Sequence, residues 1–82
     1  MSGDRHPATI VEERLAVFLG PHTARNAVKT FSERAMGRAP DSLELHEMPR
    51  LLAALRPMLR TLLGASQCEV LLRRITEDLE GR

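Results

Sequence analysis

The chain is predicted to be all-α, a compact bundle or orthogonal array of four helices, or of five if the third breaks at Pro57. Three observations predict it. Apolar residues recur every three to four positions through most of the sequence, the spacing of one helix face. Leu, Ala and Val dominate while aromatics are only 2%, and β-branched runs are absent, which suits helices better than sheets. Glycine and proline fall between the periodic stretches, where helices stop and start.

Residues 1–6 are polar and read as a disordered N-terminal tail, with residues 7–82 forming a single helical domain. Pro7 suits a first helical turn, where its missing N–H costs nothing. Ala8, Val11, Leu15, Phe18 and Leu19 then form an apolar stripe. Gly20-Pro21 closes this helix and opens the next, whose narrow stripe is Ala24, Ala27, Val28, Phe31 and Ala35. Gly37 ends it, and Pro40-Asp41-Ser42 signals a turn. The third segment, about Leu45 to Leu63, is the most apolar and reads as the central helix, with a kink or brief break expected at Pro57. After Gly64 the run Ser66-Gln67-Cys68-Glu69 matches a capping box, and Cys68, Leu71, Leu72, Ile75 and Leu79 define the last buried face. No internal repeat or low-complexity tract is read.

The composition bounds function as well. With 12 Lys and Arg against 11 Asp and Glu, the net charge of +1 exerts no strong pull toward nucleic acid or membrane. No apolar run approaches the roughly 18–20 residues that a membrane span needs, and residues 1–7 lack a signal-peptide core. One cysteine excludes an internal disulfide and fits a reducing cytoplasm.

No catalytic, cofactor or metal constellation is read. His6, His22 and His46 lie near helix starts without a second ligand one turn away, so they read as surface residues. Cys68 could be activated as a thiolate in a first turn, but it lies on the stripe of Leu72, Ile75 and Leu79 and reads as core. Glu12-Glu13, Glu44/Glu47 and Glu77-Asp78 read as solvated carboxylates rather than an acid–base pair. Phosphate-binding and nucleophile-elbow motifs are absent.

Two surfaces stand above this background. Ile10 and Val17, seven residues apart, give the first helix a second apolar flank, read as a dimer seam or docking site, or else as covered by the last helix. Arg50, Arg56 and Arg60 lie on the polar side of the third segment, which has no acidic residue from Arg50 to Leu63, and Arg73 and Arg74 follow. That flank suits phosphates or an acidic protein partner, or otherwise is a plain solvated face.

The stretch Leu15-Ala16-Val17-Phe18-Leu19-Gly20-Pro21-His22-Thr23-Ala24, continuing into Ala27-Val28-Lys29, resembles a small helical domain attached to bacterial serine/threonine protein kinases and related signalling proteins. The likeness spans Val11 to Ala35 and consists of a helix ending in a hydrophobic-Gly-Pro step. It implies a bacterial regulatory or interaction module and carries over no catalytic residue. The expected function is therefore a non-catalytic regulatory or adaptor module, cytoplasmic, binding another protein or itself as a dimer through Ile10, Val17, Arg50, Arg56 and Arg60. The alternative is a small DNA-binding regulator whose second helix presents Arg25, Asn26 and Lys29 to a groove.

Overall fold

A computed structural model describes residues 6–81, so the expected disordered tail lies outside the described residues except for His6. The fold is all-α. Four helices, α1 (Pro7–Leu19), α2 (Pro21–Met36), α3 (Met48–Leu63) and α4 (Ala65–Glu80), are accompanied by 3-10 turns at Pro40–Ser42 and Leu45–Glu47. Each helix packs on its neighbours in the chain, and α4 closes the ring against α1. Their apolar stripes meet in one core, in which Val11, Leu15, Leu51, Leu55, Leu59, Cys68 and Ile75 are wholly buried.

Of the two helix counts expected, four is found, since α3 runs through Pro57 without a break. Pro57 and Ala53, whose carbonyl loses its partner, both lie on the exposed side, where water can substitute for the missing donor. The capping box at Ser66 does not form. Gly64 rather than Ser66 sits at the N-cap of α4, and Glu69 turns across to Arg56 instead.

The chain is also built twice. Gly20 and Gly64 close their helix pairs with nearly the same backbone, φ 86° and ψ 154° against φ 87° and ψ 161°, a region that only glycine visits readily. Each Gly N–H donates back to the preceding helix, to Ala16 or to Arg60, at 2.9 Å. Each Gly carbonyl accepts the first bond of the next helix, from Ala24 or Cys68, at 3.0 Å. Laying Gly20 on Gly64 superposes the buried positions: Ala8 on Leu52, Val11 on Leu55, Leu15 on Leu59, Ala24 on Cys68, Ala27 on Leu71 and Val28 on Leu72.

The same register lays Glu12 on Arg56 and Arg25 on Glu69. Both are ion pairs across their hairpin, Arg25 to Glu12 at 3.7 Å and Arg56 to Glu69, with the charges exchanged. Thus α1–α2 and α3–α4 share a helix–glycine–helix repeat, not read from the sequence, in the turn and in these buried positions, while Ser32 and Thr76, and Ala35 and Leu79, differ in burial.

Candidate functional site

The residues singled out from sequence separate into distinct places. On a helix Ile10 and Val17 stand nearly in line, with Arg14 between them ion-paired to Asp78 of α4. Only one of the two is free, because Ile10 is 8% exposed and belongs to the core while Val17 is 75% exposed. The expected two-residue seam is corrected to Val17 alone, since Ile10 is packed into the core.

Val17 has company that the sequence reading assigned to the core. Phe18 is 40% exposed and Leu62 is 54% exposed, and Phe18 lies on Leu62 in the repeat register. Each hairpin therefore presents an apolar side chain just before its closing glycine, where the core-facing stripe continues past the packed region. Ala35, placed on the buried stripe of α2, is exposed as well.

The arginine flank is real but divided. Arg56 is engaged by Glu69, while Arg50 and Arg60 are exposed and carry no ion pair among the described residues. The same holds for Arg73 and Arg74 of α4. No acidic residue occurs in α3, so the charged side chains of its outer face are all arginines.

His22 and His46 are exposed, the first against the Asn26 amide at 3.3 Å and the second against the Glu44 carboxylate at 3.4 Å. Cys68 is wholly buried, its thiol facing the Arg56 carbonyl oxygen at 3.8 Å. Among the described residues no helix is long and apolar enough to cross a membrane.

No protein-family model, curated protein or solved structure matches this chain. The surfaces are therefore weighed on geometry.

Between α2 and α3 the chain is tied in place. Ser32, the buried polar residue of the core, donates its hydroxyl to the Arg38 carbonyl at 2.6 Å. Arg38 in turn donates to the Ser42 carbonyl at 2.8 Å and to Glu47 at 2.7 Å. Glu47 also accepts the Glu44 N–H at 2.8 Å. That backbone donor, ahead of Arg38, holds the Glu47 carboxyl below its ordinary range, although desolvation works the other way. A carboxyl with a depressed folded pKa stabilises the fold above its unfolded value and ceases to do so as acid protonates it. Acid that protonates Glu47 therefore removes its contribution to the clasp.

A last feature had no sequence signal. Between the start of α3 and the end of α4 lies an open groove of about 280 Å³, lined by Leu45, Met48, Pro49, Leu52 and Leu79, with His46, Thr76 and Glu80 at its edge. Leu45 on its rim is 51% exposed. Its residues lie far apart in the chain, so no local pattern announces it.

Proposed function

We propose that the chain is a non-catalytic regulatory or adaptor module that works by contact with another protein or with a second copy of itself. The observation that carries this reading is the exposure of Val17, Phe18 and Leu62 at the closed ends of the two hairpins. Single exposed apolar residues are ordinary. Apolar side chains grouped beside both glycine turns are the usual mark of a surface that another chain covers. The unpaired Arg50 and Arg60 would orient an acidic partner and speed its approach more than they would tighten it. Small bundles often complete their apolar burial by associating, which favours self-association. The helix–Gly-Pro–helix corner supports a regulatory setting of the kind found beside bacterial kinases, in the cytoplasm.

The test pairs Val17→Glu with Leu62→Glu and monitors mass by light scattering at micromolar concentration, together with capture of partners from the source cell. Loss of association in the double variant, with helicity by circular dichroism unchanged, supports the reading. A strict monomer whose captured partners are the same with and without the substitutions contradicts it.

A second reading, a small DNA-binding regulator, is favoured by the outward face of α2, where Asn26 and Lys29 are exposed and no acid occurs from Pro21 to Ser32. Arg25 on that face is already engaged by Glu12. Phosphate contacts must weaken steeply with salt, so absence of duplex binding at low salt would end this reading.

A further inference from the structure

Residues 38–47 join the two hairpins, and little holds them to the helices. Among them Leu43 alone is buried, 3% exposed and part of the core cluster. Their backbone bonds are short in range: Ser42 N–H to Ala39 and Leu43 N–H to Pro40 in the first turn, Glu47 N–H to Glu44 in the second. A segment with few buried side chains and exposed hydrogen bonds opens at lower free energy than packed helices do.

Arg38 fastens both turns. Its Nη2 donates to the Ser42 carbonyl at 2.8 Å and to the Glu47 carboxylate at 2.7 Å. The same Glu47 oxygen accepts the Glu44 N–H at 2.8 Å. One nitrogen therefore serves the first turn directly and the second through Glu47. A link between positions nine apart closes the chain between them into a loop, and breaking it frees the whole loop together.

The same segment walls two separate concavities. Ala39, Pro40 and Asp41 line one beside Glu12 and Lys29 of the first hairpin. Leu45 and His46 line the groove between α3 and α4 of the second.

We propose that residues 38–47 are a strap that opens as one unit while the four helices stay folded, with Arg38 as its latch. The strap is bounded by Gly37, left-handed at φ 68° and ψ 22°, and by Met48, buried at the start of α3. Opening withdraws Leu43 from the core, and that cost keeps the strap shut at rest. Each opening removes a wall from the concavity on the first hairpin and one from the groove on the second. The two surfaces are thereby coupled, and a ligand that steadies one wall steadies the other. The strap is independent of association through Val17 and Leu62, so either idea can fail while the other stands.

The test is hydrogen exchange of the full chain in rising, sub-denaturing urea, followed residue by residue by NMR. The probes are the amides of Ser42 and Leu43 in the first turn and of Glu44 and Glu47 in the second. Corrected for intrinsic rates, the four should agree within about threefold and exchange faster than the core amides of Leu55 and Leu71. Their opening should depend little on urea, because it exposes little surface. Arg38→Met keeps the stem and removes both donors, and should accelerate all four amides by one factor of about ten. Glu47→Gln keeps the shape and removes the charge. It should accelerate all four by a smaller common factor, including Ser42 and Leu43, which Glu47 does not touch.

Four separate opening energies in the parent chain, or exchange of these amides only together with Leu55 and Leu71, would contradict a strap. Acceleration by Glu47→Gln confined to Glu44 and Glu47 would show two independent turns and overturn it as well. Unchanged exchange in Arg38→Met would remove Arg38 as the latch.

Discussion

The two hairpins share a backbone and differ in what completes them. The first packs small residues, Ala8, Ala24 and Ala27, where the second packs Leu52, Cys68 and Leu71. The Pro40–Ser42 turn lies against α1 and α2, and the Ser32 hydroxyl ties the returning chain to the end of α2. The second has larger side chains of its own, and the Thr76 hydroxyl bonds within its own helix. One turn with two fillings shows how a repeated unit can keep its backbone while its ends are finished differently.

The largest effect expected from this comparison concerns its two identical core residues. Leu15 and Leu59 occupy the same register position and are both wholly buried. Leu15→Ala and Leu59→Ala should each cost about 2–5 kcal/mol in chemical denaturation. Values differing by more than about half that range would break the equivalence.

Next come the turns. Gly20→Ala and Gly64→Ala force a side chain into a backbone region kept almost wholly for glycine, at a cost of about 1–3 kcal/mol each. No atom crowds either position, so the cost is conformational and should be equal at the two sites. Thermal unfolding of the two variants checks it.

The third prediction sharpens the difference instead of the likeness. Ser32→Ala removes the donor to the Arg38 carbonyl in a buried site and should cost about 1–3 kcal/mol. Thr76→Ala in the same register should change stability by no more than about 0.5 kcal/mol, because the residue is exposed and its hydroxyl is bonded within its own helix.

Smallest are the exchanged ion pairs, where exposed partners contribute about 0–1 kcal/mol. Reversing both charges in the first hairpin, Glu12→Arg with Arg25→Glu, copies the polarity of the second and should leave stability near the parent. Either reversal alone should be the less stable variant, which a double-mutant cycle measures.

Much of the fold is legible in the residues themselves. Gly20, Gly37 and Gly64 announce three helix ends, and the stripes of α3 and α4 name nearly all their buried positions. The repeat is hidden because register equivalents differ in size, as with Ala27 and Leu71, or in sign, as with Glu12 and Arg56. Burial and the pairing of opposite charges are kept at these positions while size and residue identity are not. Ser66 failed as a cap because Gly64 ends one helix and begins the next, which leaves Ser66 one position inside α4. Ile10 and Val17 look alike in periodicity, and only the packed fold tells them apart. The groove was illegible for the same reason, since its walls come from α3, α4 and the turn before α3, and it exists only once they are packed.

Hydrogen exchange of the backbone amides at the open ends tests the central contrast most directly. A segment covered by packed chain opens less often than one facing water. If the first hairpin is completed by its returning segment, the amides of Ser32–Met36 should exchange at least about tenfold more slowly than those of Thr76–Glu80, a difference of about 1.4 kcal/mol in opening. Equal protection at the two ends, or slower exchange in α4, would contradict the account.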